Sequence, residues 1–220
     1  MTTSPTHTGT FIVFEGGDGV GKSTQITRSA DFLLKAGHEV VVTREPGGSA
    51  LGTKIRELLL GSEPGSVSDR TEALLFAADR ADHVATVIRP ALARGAIVLC
   101  DRYIDSSLAY QGVARGLGVD QIAKLSEWAT DGLTPDLTIV LDLAPEVGLQ
   151  RAAQVSGTPD RMEQESLNFH IQVRQAFLDA AAVDPNRYEV VDAGADLDEV
   201  TQSVLIAVDH VTRAPGGDPS

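Results

Sequence analysis

The segment over residues 10–24 constrains the fold most, because an apolar run leads into a glycine-rich turn and then into a helical pattern. Residues 11–14 are typical of a buried strand. Residues 16–23 match the spacing G-x-x-x-x-G-K-[ST], in which backbone N–H groups surround a polyphosphate and the helix start adds its positive dipole end. A chance glycine-rich turn is the alternative, which the flanking strand and helix disfavour. The segment predicts a phosphate-binding loop.

Length and charge exclude several classes of protein. The chain has 220 residues, of which 42% are hydrophobic, so a single domain is expected over residues 10–212. Residues 1–9 and 213–220 are expected to be a flexible start and a disordered tail. The net charge of −13 disfavours nucleic acid or an anionic membrane as a partner. No apolar stretch approaches the ~20 residues of a membrane span. The single Cys100 suits a reducing compartment, so we expect a cytoplasmic protein.

Five short apolar runs alternate with helical patterns along the chain. Each run predicts a buried strand, and the runs are residues 11–14, 39–43, 96–100, 137–143 and 188–191. This alternation predicts an α/β fold with three layers, in which a five-stranded parallel sheet carries helices on both faces. Trp128 lies in one of the helical patterns and is assigned to the core.

Ligands of such sheets gather at the carboxyl ends of the strands. Four clusters of polar residues and glycines fall there: the phosphate loop, residues 44–48, residues 101–103 and the segment flanking Pro159. Because they share one edge of the predicted sheet, the clusters indicate a single active site.

The first candidates bind a nucleoside triphosphate and a metal ion. Lys22 would bring a mobile positive charge to the β- and γ-phosphate oxygens, and Ser23 a hydroxyl ligand for Mg²⁺. Asp101 follows an apolar strand, where P-loop enzymes keep a carboxylate on the magnesium side. A helix cap at the following turn is the less favoured alternative. Arg102, with Arg56, is the candidate for a second phosphate. A phosphate acceptor needs no strong general base, so catalysis would depend on alignment and charge neutralisation.

Two further pairs of residues leave alternatives open. Phe76 and Arg80 are four residues apart and share a helical face, where a ring and a planar donor would read a nucleobase. A core phenylalanine and a surface ion pair explain the same spacing. Arg151 and Arg161 bracket residues 157–159 and predict a lid, over about residues 151–161, that brings positive charge to the transferred phosphoryl group. Two arginines lying along a solvent-facing helix are the alternative.

The chain resembles the bacterial thymidylate kinases, which phosphorylate dTMP with ATP. The resemblance runs over residues 10–207 and rests on residues 14–25, 43–48, 76–80, 101–103, 110–112 and 160–163. The sequences Thr-Arg-Glu-Pro-Gly-Gly and Tyr-Gln-Gly are specific in combination. The resemblance implies a P-loop nucleoside-monophosphate-kinase-like fold, Mg²⁺ as cofactor, ATP and dTMP as substrates, and a homodimer.

Each candidate residue then has an expected role. The ATP site is the phosphate loop, Gly16, Gly17, Asp18, Gly19, Val20, Gly21, Lys22, Ser23 and Thr24. The metal ligands are Ser23 and Asp101, and the catalytic cations are Lys22, Arg102, Arg151 and Arg161. By the resemblance, dTMP is bound by Asp18, Glu45, Arg56, Phe76, Arg80, Arg102, Ser107, Tyr110 and Gln111. Phe76 would stack on thymine, Arg80 and Gln111 would reach its polar edge, and Tyr110 would pack against the sugar.

Two departures from the family pattern concern the cation that stabilises the transition state. One branch of the family carries an arginine within the phosphate loop, where this chain has Gly19. The other branch places arginines in the lid, but residues 152–160 contain none here. Arg161 or Arg151 is therefore expected to supply that charge. The resemblance also implies a cis peptide bond between Glu45 and Pro46.

Two other functions fit parts of the pattern. A deoxynucleoside kinase has a similar fold and a free 5′-hydroxyl acceptor, for which Glu45 would serve as general base. Arg102 and Arg56 disfavour it, because an uncharged acceptor does not require them. A non-enzymatic P-loop switch is the second alternative. The chain lacks the guanine-reading Asn-Lys-x-Asp sequence and has Gly17 where partition-type ATPases carry lysine, so this alternative is weak.

Overall fold

The computed structural model describes residues 8–61, 66–156 and 160–213. Its five-stranded sheet has the order β2-β3-β1-β4-β5, with every neighbouring pair parallel. The strands are β1 (Thr10–Glu15), β2 (Val40–Arg44), β3 (Ile97–Asp101), β4 (Leu137–Asp142) and β5 (Tyr188–Asp192). Each overlaps one predicted run, so the predicted fold class is confirmed. The expectations for residues 1–7 and 214–220 lie outside the described residues.

Helices connect the strands and cover the sheet. In the described residues they are α1 (Lys22–Lys35), α2 (Ala50–Leu60), α3 (Asp69–His83), α4 (Arg89–Ala93), α5 (Ile104–Ser107), α6 (Val119–Thr130), α7 (Pro145–Ser156), α8 (Leu167–Val183) and α9 (Leu197–Thr212). Three of them begin after a serine whose side-chain oxygen accepts a backbone N–H of the first turn, which caps the helix: Ser49, Ser68 and Ser166.

Two segments of π-helix interrupt this pattern, Val84–Ile88 between α3 and α4, and Leu108–Ala114 after α5. Such wide turns recur at functional sites in proteins. The second segment carries Tyr110 and Gln111, both of which line the cavity described below.

The central strand β1 divides the core into two layers. Ile12 and Phe14 pack with residues of α1 and α9 on one face, whereas Phe11 and Val13 pack with Val84 and other residues near α4 on the opposite face. This alternation follows from the two-residue period of a strand. These four residues of β1 are fully buried.

The strand order reverses at β1, which lies between β3 and β4. Parallel α/β sheets bind ligands in the crevice at such a reversal. The register pairs Phe14 with Asp101 and Arg44 with Asp101, so the phosphate loop and the ends of β2 and β3 meet at one edge. The fold therefore brings three of the four predicted clusters together.

Two single-residue expectations have different outcomes. Cys100 is buried at the end of β3, which agrees with an inert thiol. Trp128 is 83% exposed on α6, so its assignment to the core was wrong. Among the described residues, no helix has the length and apolar character needed to cross a lipid bilayer.

Candidate active site

Positive φ angles at three glycines shape the phosphate loop between β1 and α1. Gly16, Gly19 and Gly21 have φ of 131°, 70° and 99°, conformations that favour glycine. Because α1 begins at Lys22, its free N–H groups and positive dipole end face the loop. The Lys22 ammonium donates to the carbonyl oxygens of Gly16 and Gly17 at 3.2 and 2.7 Å. Burial lowers the pKa of Lys22 because it disfavours the charged ammonium. An anion in the loop would counter this effect and favour the charged form.

Position 19 of the loop has no room for a side chain. A Cβ on Gly19 would lie 1.9 Å from the Gly148 carbonyl oxygen, because α7 packs directly on the loop. The α7 side of this contact also has no room for a side chain, since a Cβ on Gly148 would lie 2.4 Å from the Asp18 carbonyl oxygen. In this arrangement α7 excludes the arginine that one branch of the family carries at position 19.

The residues predicted to bind a metal ion lie together beside the loop. Ser23 and Asp101 line one open cavity, together with Arg44. The Oδ1 atom of Asp101 is buried and has no hydrogen-bond partner in the described part of the chain. A buried carboxylate oxygen without a donor is an available ligand for a hard cation. Residues 8–61, 66–156 and 160–213 contain no cluster of three or more His, Cys, Asp or Glu that would hold a metal by itself.

The phosphate loop opens into a cavity of about 440 Å³ that is lined by charged side chains of both signs. Its cationic lining residues are Lys22, Arg44, Arg56, Arg102 and Arg151, and its acidic ones are Asp18, Glu45, Asp101, Asp160 and Glu163. The cationic side chains can contact an anion, and the carboxylates can contact a cation bound with it.

Arg102 joins the phosphate loop to the end of β3. Its guanidinium donates to Gly16 O at 3.0 Å, Ser106 Oγ at 3.2 Å and Asp18 Oδ1 at 2.7 Å. The backbone of Arg102 has φ of 69°, an unusual conformation that aims the side chain toward the loop. Burial raises the pKa of Asp18, but the charges of Arg102, Lys22 and His170 together outweigh burial, so the net shift of the pKa is downward.

A buried carboxylate that the sequence analysis missed holds this segment in place. Glu15, the last residue of β1, accepts the backbone N–H groups of Tyr103 and Ser106 at 2.8 and 3.1 Å. Its second oxygen accepts the Ser106 hydroxyl at 2.6 Å. Burial and the nearby Asp105 raise the pKa of Glu15 to about 7. The available signal was an acidic residue at the end of an otherwise apolar strand.

A second cavity, of about 110 Å³, adjoins the phosphate cavity. All nine residues predicted to bind dTMP line it: Asp18, Glu45, Arg56, Phe76, Arg80, Arg102, Ser107, Tyr110 and Gln111. They come from α2, α3, α5, the second π segment and the loops that follow β1, β2 and β3. The two cavities share Asp18, Glu45, Arg56, Arg102 and Asp160.

Glu45 is held on both carboxylate oxygens. Arg80 Nε donates to Oε2 at 2.7 Å, and His83 Nδ1 lies 2.9 Å from Oε1. The Arg80 Nη2 atom also donates to Tyr103 O and Ser107 Oγ at 2.9 and 3.0 Å. A general base needs a free oxygen near the acceptor, so these contacts disfavour the deoxynucleoside kinase alternative. The Glu45–Pro46 peptide bond is cis, as expected.

The two lid arginines differ in position. Arg161 is 4% exposed, and it donates to Glu72 Oε2 at 2.7 Å and to Leu59 O at 2.8 Å. This buried ion pair corrects the expectation that Arg161 stands over the phosphate cavity. Arg151 on α7 does line that cavity, and it donates to Ala193 O at 3.3 Å. Residues 157–159 of the predicted lid lie outside the described residues.

A phosphate loop beside a charged cavity, open to a second pocket lined by aromatic rings and the Gln111 amide, defines a P-loop nucleoside monophosphate kinase, which is a phosphotransferase. A profile of the thymidylate kinase family matches residues 14–204. The chain belongs to the thymidylate kinase family.

Known relatives agree over nearly the whole chain. The chain is 54% identical to a thymidylate kinase of Clavibacter sepedonicus over 209 residues, which cover 95% of this chain and 98% of the relative. It is 51% identical to that of Deinococcus radiodurans over 201 residues, or 91% of this chain and 96% of the relative. The crystal structure of thymidylate kinase from Ehrlichia chaffeensis superposes with a TM-score of 0.74 at 33% identity, covering 91% of this chain and 98% of the other.

Glu15 gives a prediction about stability and pH. Its pKa rises from 4.5 to about 7 on folding, so the folded state binds the proton more tightly than the unfolded state. The stability contribution is present below the unfolded pKa and is lost as pH rises toward the folded pKa. Between pH ~5 and ~8 the parent should lose on the order of 2 kcal/mol more unfolding free energy than Glu15→Gln. Urea denaturation at several pH values measures this.

The exposed Glu39 provides the control. Glu39→Gln should retain the parent's pH dependence. Equal pH dependence in the parent and in Glu15→Gln would contradict the assignment of a raised pKa to Glu15.

Proposed function

We propose that this chain transfers the γ-phosphoryl group of ATP to dTMP, giving ADP and dTDP. The observation that carries the proposal is the shared wall of the two cavities, where Arg56 and Arg102 stand between the phosphate loop and the aromatic pocket. A donor phosphate in one cavity and an acceptor phosphate in the other would meet at these guanidinium groups. A kinase with an uncharged acceptor would have no use for them.

The donor occupies the phosphate loop. Backbone N–H groups of residues 16–24 surround its phosphates, and Lys22 turns from the carbonyl oxygens of Gly16 and Gly17 to the β/γ oxygens. Ser23 and Asp101 would hold Mg²⁺, which would neutralise charge on the donor phosphates. Arg151 contributes a positive charge from α7 and takes the role first shared with Arg161.

The transfer is a displacement at the γ-phosphorus. An oxygen of the dTMP phosphate forms the new bond to phosphorus, and the bond between the γ-phosphorus and the bridging oxygen breaks. ADP leaves with that electron pair, and no proton needs to be removed from the acceptor. Arg102 and Arg56 neutralise the acceptor phosphate and align it, so the barrier falls through positioning and electrostatics.

The nucleoside of dTMP lies in the second cavity. Phe76 stacks on the thymine ring, and a remaining Arg80 N–H and the Gln111 amide bond to its polar edge. Ser107 accepts from Arg80 and so fixes the guanidinium beside the base. Tyr110 packs against the sugar, where its ring leaves little space for a 2′-hydroxyl.

The assembly and compartment are part of the proposal. Leu51 of α2 and Leu74 of α3 are 49% and 59% exposed, on two helices that pack against each other. An apolar surface of this kind suits burial against a second copy of the chain, and we place the homodimer interface there. The nucleotide substrates and the free thiol of Cys100 suit the reducing cytoplasm.

The order of acceptor use tests the function. Thymine offers carbonyl acceptors and an N3–H donor, whereas cytosine carries an amino donor in place of O4 and meets the arginine N–H groups. We predict dTMP as the best acceptor, dUMP lower by up to about 200-fold because it lacks the methyl group, and dCMP, dAMP and dGMP lower still. Values of kcat/KM at fixed ATP measure this.

Lys22→Ala serves as the no-transfer control in that assay, since it removes the charge matched to the β/γ oxygens. A purine or cytosine nucleotide that matches dTMP would contradict the proposed function.

The oligomeric state is tested by the double substitution Leu51→Glu and Leu74→Glu. It should convert a dimer into a monomer in sedimentation velocity runs, because buried charges oppose association. Leu197→Glu on α9, at a site 49% exposed, is the matched control and should remain dimeric. A monomeric parent at micromolar concentration would contradict the dimer, and a dimeric double variant would contradict the interface.

A further inference from the structure

Glu72 is a buried acid on α3. Among the described residues, its one hydrogen bond to a residue of the second cavity is with the Gln111 amide. Its side chain is fully buried, and every group that contacts it is a donor. Gln111 Nε2 donates to Oε1 at 2.8 Å, and Arg161 Nη1 lies 2.7 Å from Oε2. Arg115 donates to both oxygens at 3.3 Å. Both oxygens of the Glu72 carboxylate are therefore contacted by donors.

These contacts determine which end of the Gln111 amide faces the cavity. A carboxylate has no hydrogen to donate, so only the NH₂ group of Gln111 can turn toward Glu72. The Gln111 oxygen must then point elsewhere. Gln111 lines the second cavity, and the hydrogen bond that its side chain makes to the described residues runs through Nε2 and leaves Oε1 available. The amide thus offers an acceptor to whatever base enters.

We propose that Glu72 is a specificity-determining residue, which orients the Gln111 amide so that its oxygen accepts N3–H of thymine or uracil and opposes the N3 lone pair of cytosine. This inference rests on the proposed function, because it concerns how the same pocket selects its base. Glu72 touches no substrate and acts as a positioning residue.

Arg161 has a new role in this arrangement. Its guanidinium and that of Arg115 surround the buried carboxylate and offset the cost of removing its charge from water. Arg161 was expected to contact phosphate, but its contact here stabilises the buried charge of Glu72. Arg115 contacts the same carboxylate, so Glu72 keeps a cationic partner and the donor from Gln111 without Arg161.

The sharpest substrate pair is dTMP and 5-methyl-dCMP. Both carry the 5-methyl group, and they differ only at N3 and at the 4-substituent, so their ratio of kcat/KM isolates recognition of the polar edge. Glu72→Gln introduces an NH₂ group that can donate to the Gln111 oxygen, which frees the Gln111 amide to rotate. We expect the ratio to fall by about tenfold or more, chiefly through poorer use of dTMP and better use of 5-methyl-dCMP.

Arg161→Met is the matched structural control. It removes a contact to the same carboxylate but leaves an acceptor facing Gln111, so it should lower the melting temperature and keep the substrate ratio. The combination of Glu72→Gln with Gln111→Ala should give no larger loss of the ratio than Gln111→Ala alone, because both act through one amide. If Glu72→Gln does not fold, Glu72→Asp, which withdraws the carboxylate from Gln111, should lower the ratio in the same direction.

The outcomes separate this inference from the proposed function. A parent that prefers dTMP, with an unchanged ratio in the folded Glu72 variant, would overturn the role of Glu72 alone. An equal fall of the ratio in Arg161→Met would overturn it as well, since loosened packing would then explain the effect. A parent that does not prefer dTMP would contradict the proposed function, and the role of Glu72 would fall with it.

Discussion

The contacts of the Arg102 guanidinium are the interaction on which the site depends. One side chain bonds to the phosphate loop at Gly16 and Asp18 and to α5 at Ser106, and it stands on the wall between the two cavities. Its left-handed backbone is sparsely populated for a residue with a Cβ, so the surroundings must hold it. Glu15 does this by accepting the N–H groups of Tyr103 and Ser106. Donor and acceptor sites are thus joined by one charged group.

Helix α3 organises the acceptor side in a similar way. Its buried polar residues are Glu72, Asp79, Arg80 and His83, and its Phe76 lines the second cavity. Asp79 accepts the backbone N–H of Gly47, while Arg80 and His83 hold Glu45. A single helix therefore fixes the loop after β2 and lines the base pocket. The buried carboxylates of Glu45 and Glu72 each pair with an arginine, which offsets the cost of removing their charge from water.

The sequence predicted those parts of the structure that depend on local pattern. The five strands follow from apolar runs, and the phosphate loop follows from its glycine spacing. The nine residues expected around dTMP do gather in one cavity, because they lie at the strand ends of a parallel sheet. Their roles in binding remain predictions.

Other features depend on contacts between distant segments, which no local pattern reveals. Arg161 and Glu72 are 89 positions apart and form a buried pair, so an arginine expected at the phosphate serves another contact. Glu15 lies within the segment predicted to form the phosphate loop. Its hydrogen bonds to the segment around α5 depend on how α5 lies beside β1, which the local pattern does not reveal. Trp128 follows a helical pattern typical of a buried residue but faces outward on α6. In each case tertiary position decided the outcome.

The most direct test of this account is to measure the binding of dTMP and ATP separately to Arg102→Ala by calorimetric titration. If Arg102 neutralises the acceptor phosphate, the affinity for dTMP should fall by roughly a hundredfold, about 2–3 kcal/mol, while the affinity for ATP changes little. Arg94→Ala, at an exposed arginine paired with Glu39, should leave both affinities unchanged. Equal losses of affinity for the two nucleotides, or a selective loss for ATP, would contradict the assignment of Arg102 to the acceptor phosphate.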